Sequence, residues 1–165
     1  MALRLSDGDM AFHTWAPGVL TATDLNTHIR DVFAGAGEWE AYSPIWDAAT
    51  TLPAIGNGVL NGAYVALGDV VDVGIYLSLG STTAQGSGAW SFSLPPGMSV
   101  HSSFALNGAG SCSDGSLHTL TAFASPGWTS MIALRPSTDA TVEPGSPWTF
   151  VAGDWLALSA RFRKA

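Results

Sequence analysis

The sequence predicts an all-β protein: an antiparallel β-sandwich or jelly roll with one short amphipathic helix near its N-terminus. Three observations predict it. Apolar and small polar residues alternate with period two over most of the chain from Glu38 onward. Gly-, Pro- and Asn-rich turn signals recur between the alternating runs. A single stretch before residue 38 carries helical spacing instead. The chain of 165 residues divides accordingly into a segment 1–38 and a β-domain 39–165.

The helix comes first. Thr21-Ala22-Thr23-Asp24 has the form of a capping box, with Thr21 as N-cap and the Asp24 carboxylate three residues on. Leu25, Ile29, Val32 and Phe33 then fall on one face at i, i+4, i+7 and i+8. Asp24, Asn26, Thr27, Arg30 and Asp31 fill the other side, and Gly35 and Gly37 end the run. The helix is expected from near Ala22 to Ala34. One this short is marginal in water and needs a surface for its apolar face. That surface is either its own β-domain or a neighbouring subunit or larger particle.

Strands follow. Gly56-Asn57-Gly58 leading into Val59–Tyr64, then Gly80-Ser81-Thr82-Thr83, then Trp90–Pro95 read as three short strands with turn residues between them. Val71, Val73, Ile75, Leu77 and Leu79 alternate with Asp72, Gly74, Tyr76 and Ser78 in a long half-buried strand. Trp90, Phe92 and Leu94 alternate with Ser91 and Ser93, which places Trp90 in the core. Leu117, Leu120, Ala122 and Phe123 mark another strand with weaker register, and Ile132 and Leu134 continue the series. In the last element Leu156, Leu158, Ala160 and Phe162 face one way, opposite Ala157, Ser159 and Arg161. Turns are expected at Gly56-Asn57-Gly58, Gly86-Ser87-Gly88, Pro95-Pro96-Gly97, Gly108-Ala109-Gly110, Ser125-Pro126-Gly127 and Glu143-Pro144-Gly145, with the longest loop over 136–147. About eight strands at this spacing imply a sandwich or jelly roll.

Composition narrows the function. Charged residues are 12% of the chain against 47% hydrophobic, about half the usual charged share of ~25%. A surface so poor in charge suits subunit contacts. With six basic residues and a net charge of −7, phosphate-directed nucleic-acid binding is not expected. No run approaches the ~20 apolar residues of a membrane helix, and Met1 to Met10 lacks the apolar core of a signal peptide. Cys112 is the only cysteine, so no intrachain disulfide can form.

Catalytic residue types are scattered. His13, His28, His101 and His118 lack zinc-ligand spacing, although His101 and His118 could meet on adjacent strands. No GxSxG elbow is present. Asp69 and Asp114 read as turn residues and Asp72 as a solvent-facing strand position, so no carboxylate pair of the glycosidase kind is expected. The chain therefore reads as non-enzymatic, without metal or cofactor. Its remaining signal is aromatic. Trp15, Trp39, Trp46, Trp128, Trp148 and Trp155 lie at strand ends or beside Pro and Gly, where rings are often half exposed. Trp128, Trp148 and Trp155 are the candidate ligand or interface aromatics, with intersubunit packing favoured over sugar stacking.

Five segments in order also carry a resemblance. They are Val19-Leu20-Thr21-Ala22-Thr23-Asp24-Leu25-Asn26-Thr27-His28-Ile29-Arg30-Asp31; Tyr42-Ser43-Pro44-Ile45-Trp46; Gly56-Asn57-Gly58 with Gly62-Ala63-Tyr64; Gly80–Thr83 with Trp90–Pro95; and Pro147–Phe150 with Gly153–Leu156. Together, over residues 12 to 163, they resemble small virion proteins of bacteriophages, particularly those infecting actinobacteria: minor tail, tail-fibre or decoration proteins. The resemblance implies a jelly-roll-like C-terminal domain, commonly trimeric, on the particle surface, with other virion proteins (tail or major capsid protein) as partners. It departs from many relatives in being short, with about forty residues before the β-domain. The expectation is a structural protein whose helix face, Leu25, Ile29, Val32 and Phe33, docks on the virion; the alternative is a receptor-binding protein for a host surface glycan.

Overall fold

The structure, a computed structural model, describes residues 37–134, 140–146 and 149–165. The expected helix, with Leu25, Ile29, Val32 and Phe33, lies outside the described residues, as does Trp148.

Among the described residues, nine strands form one antiparallel sheet. They are β1 (Glu40–Tyr42), β2 (Trp46–Ala48), β3 (Val59–Leu67), β4 (Val70–Ser78), β5 (Trp90–Ser93), β6 (Leu106–Ser113), β7 (Leu117–Ala124), β8 (Ser130–Leu134) and β9 (Trp155–Arg163). Their order is β1-β3-β4-β9-β6-β7-β8-β5-β2. The described part is thus all-β and antiparallel, as the alternation requires, but it is a single curled sheet rather than two sheets.

Chain connectivity dictates the curl. β1 and β2 occupy opposite ends of the strand order, yet only residues 43–45 separate them in sequence. Four peptide units reach at most about 15 Å. A flat sheet of nine strands would hold its edges about 38 Å apart, at roughly 4.8 Å per strand step. The sheet must bend until its edges nearly meet, and its inward face becomes the core.

That inward face is where the period-two pattern goes. Val71, Val73, Ile75 and Leu77 of β4, Trp90 and Phe92 of β5, and Leu156, Leu158, Ala160 and Phe162 of β9 are all buried. Trp46 is a correction to the half-exposed expectation. It is 8% exposed and packs edge-on to Trp90 with centroids 5.0 Å apart, because β2 pairs with β5 and turns the indole inward.

Other elements differ from expectation. Gly108-Ala109-Gly110 is no turn but the middle of β6. A Cβ at Gly110 would lie 2.6 Å from Leu158 Cδ2, and one at Gly108 would lie 2.6 Å from Ala160, so glycine lets β6 lie close against β9. Gly80–Thr83 is a turn rather than a strand. Its Thr82 exchanges hydrogen bonds with Asn57: Asn57 N–H donates to Thr82 Oγ1, and Thr82 N–H to Asn57 Oδ1, both at 2.9 Å. On β8, Met131 and Ala133 point inward while Ile132 and Leu134 face out, and Phe123 of β7 likewise faces out. Val142, within the expected long loop, is buried and ties β5 to β8 through Trp90 N–H to its carbonyl and its own N–H to Ala133.

Candidate binding surface

Two features of the outer surface stand out, one on each half of the curl. The first spans β3, β4, β9, β6 and β7. Strand register aligns Ala63, Gly74, Ser159, Ala109 and Thr121 in one transverse row of small side chains. A Cβ added at Gly74 would meet nothing within 4 Å, so the row is open. The next row holds Asn61, Tyr76, Ala157, Ser111 and Thr119. On the other side run Val65, Asp72, Arg161, Asn107 and Phe123.

Charge in these three rows is confined to one pair. Arg161 donates from Nε and from an Nη to the two oxygens of Asp72, both at 2.7 Å, and the guanidinium holds the Asp72 carboxyl below its usual range. Trp155 faces outward as its alternation predicts and stacks on Tyr76, with centroids 6.3 Å apart and planes 28° from parallel. Each ring therefore covers part of the other.

The second feature lies on β7, β8, β5 and β2. Register aligns Phe123, Ile132, Ser91 and Asp47 in one outward row. Beside it the Ser125–Trp128 turn projects an indole. Trp128 N–H donates to Ser125 O, Gly127 N–H to Val100 O, and Val100 N–H to Trp128 O, so the turn is pinned to the strand-like stretch before β6. Gly127 has φ +78°, which an L side chain rarely adopts. Trp128 is 41% exposed and meets the edge of Phe123 at 6.3 Å. Between Trp128 and Asp47 runs a shallow groove of about 530 Å³, floored by Ala49, Ala89, Ser91, Ser130 and Ile132.

The structure separates the two described candidate aromatics, placing Trp128 and Trp155 on different halves of the sheet. Asp47 escaped the sequence reading, although its place between inward Trp46 and Ala48 marks it as outward. His101 and His118 do not meet: His101 N–H bonds Arg163 O near the start of β4, whereas His118 pairs with Cys112 near its end. His118 Nε2 lies 3.1 Å from Asp114 Oδ1. Asp154 is the one buried carboxylate among the described residues, and its Oδ2 accepts the Val151 N–H at 2.8 Å, a turn-forming role. No group of three or more His, Cys, Asp or Glu among the described residues could hold a metal ion. Nor is any helix there long and apolar enough to cross a membrane.

Compared with protein-family models, curated proteins and solved structures, the chain matches none. The resemblance to phage virion proteins rests on the quoted segments alone.

Proposed function

We propose that this chain is a non-enzymatic structural protein of a phage virion, with a jelly-roll-like β-domain displayed on the particle. The N-terminal segment docks on the tail or capsid through Leu25, Ile29, Val32 and Phe33, and the β-domain trimerises and faces outward. The observation that carries the reading is the outer face of β3, β4, β9 and β6. It spans three rows with one neutralised ion pair, small side chains and a stacked aromatic ridge. Such a face resembles the low-charge, aromatic-bearing core of a subunit contact more than a solvated surface.

Attachment fits the same reading. Gly37, the first described residue, precedes β1 and so lies toward the Leu67 end of β3, at one end of the sheet. Particles carrying Ile29→Asp and Phe33→Asp together should lose the protein while its β-domain stays folded. Full occupancy of the variant on purified particles would end the docking reading. Light scattering on the soluble protein tests the trimer. Gly74→Arg, which the open position accommodates, should lower the mass to that of one chain, and an unchanged mass would remove this face from the assembly.

A further inference from the structure

We infer that the groove between Trp128 and Asp47 binds a neutral pyranose sugar. It lies over β8, β5 and β2, adjoins the proposed subunit face of β3, β4, β9 and β6 through Phe123 of β7, and goes beyond the structural reading.

Three observations select this ligand class. Trp128 offers a half-exposed indole on a turn pinned by three backbone hydrogen bonds and buttressed by Phe123, so little order is lost when a ring stacks on it. Trp155 is a poorer platform because Tyr76 already covers it. Across the groove, Asp47 Oδ1 accepts the Ala48 N–H at 2.7 Å, which fixes the carboxylate on β2; Oδ2 has no protein partner among the described residues. A carboxylate accepts from sugar hydroxyls. Ser91 and Ser130 add hydroxyls to a floor otherwise made of alanine and Ile132, small enough to admit a flat ring.

Charge decides among sugars. Among the described residues no Lys, Arg or His lines the groove, and its one ionisable group is acidic. Uronic and sialic acids would meet a like charge with no described cation beside it, whereas a neutral ring pays no such penalty. A nearly flat, open site of this kind with few polar groups implies weak, millimolar-class binding per ring.

The test is a titration of the full-length ¹⁵N-labelled protein, followed by two-dimensional NMR, with methyl β-galactopyranoside, N-acetylglucosamine and glucuronic acid. At least one neutral sugar should shift the Trp128 indole N–H and the amides of Ala89, Ser91 and Ser130, while glucuronic acid leaves them in place. Trp128→Ala should abolish the shifts with amide dispersion retained. Asp47→Asn, which keeps the side-chain shape, should weaken binding about tenfold, the worth of a hydrogen bond to a charged group. Absence of shifts with both neutral sugars overturns the inference. So do shifts that survive Trp128→Ala, or equal shifts with glucuronic acid. An indole signal buried by self-association of the free protein also overturns it, since the groove would then be a contact between copies. The measurement needs no particle, so its failure leaves the docking reading to its own experiment.

Discussion

The phenol of Tyr42 donates a hydrogen bond of 3.2 Å to the carbonyl of Ser93, joining an edge strand to the neighbour of the opposite edge. Around it, Ser93 N–H donates to Ile45 O, and Ile45 N–H to Ser93 Oγ, both at 2.9 Å. The Tyr42 bond is the one of the three that crosses from β1 to β5; the other two extend the β2–β5 ladder by one residue, where the chain arriving from β1 enters β2. Burial pushes the Tyr42 phenol upward, so it stays a donor throughout the ordinary pH range.

Tyr42→Phe removes the donor and keeps the ring. The expected cost is about 1 kcal/mol in urea unfolding, the usual net worth of one such bond. An unchanged midpoint would mean the seam is held without it.

Two glycines on neighbouring strands should respond oppositely to alanine. At Gly62 a Cβ would lie 2.5 Å from Tyr42 Cε1 and 2.6 Å from Pro44 Cγ, both parts of the seam. Gly62→Ala should destabilise by about 1–3 kcal/mol through overpacking. Gly74→Ala meets open space and should stay within about 0.5 kcal/mol of the parent, or gain slightly from reduced backbone entropy in the unfolded chain. Equal losses at the two positions in denaturant titration would refute the seam packing.

Cys112 is fully buried on the inward face of β6, and burial, with lesser contributions from Asp114 and Asp154, pushes its thiol up to about 12. The reactive thiolate is then scarce at mildly alkaline pH. Labelling by a thiol reagent should be slow in the native protein and fast in urea. Rapid native labelling would place the thiol outside the core.

Asp72 is held below its ordinary carboxylate value by the Arg161 hydrogen bonds, so the pair stabilises the fold near neutral pH and loses that contribution as pH falls below about 3.8. Arg161 is largely and Asp72 partly exposed to solvent, which limits the effect to the small contribution of a surface ion pair. Arg161→Met should therefore leave neutral-pH stability almost unchanged and move the acid limb of the pH–stability curve only slightly. A loss of several kcal/mol would show that the pair does more than neutralise the face.

Much of the fold is legible in side-chain alternation. The inward sets of β4, β5 and β9 follow directly from it, because a strand that buries one face must repeat with period two. β6 was hidden: Gly108 and Gly110 look like a turn until β9 is laid against them, and nothing local announces that neighbour. Gly80–Thr83 differs the other way, since its threonines favour strands, yet the Thr82 hydroxyl bonds Asn57 and the Thr83 hydroxyl donates to Ile55 O instead. Of the candidate aromatics, the outward direction of Trp155 was readable from strand parity. The contact of Trp128 with Phe123, and its place across a groove from Asp47, were not.

Taken alone, the sequence determined which side chains turn inward on the long strands, where the main reversals fall, and that the surface would be poor in charge. These are local or summed properties, set by the pleat, by turn residues and by composition. Tertiary structure alone decided the order of the strands, the approach of the sheet's edges through Tyr42 and Ser93, and the placing of Trp128 across a groove from Asp47. Strand pairing joins residues as far apart in the chain as Val70 and Arg163, and no short-range preference encodes such partners.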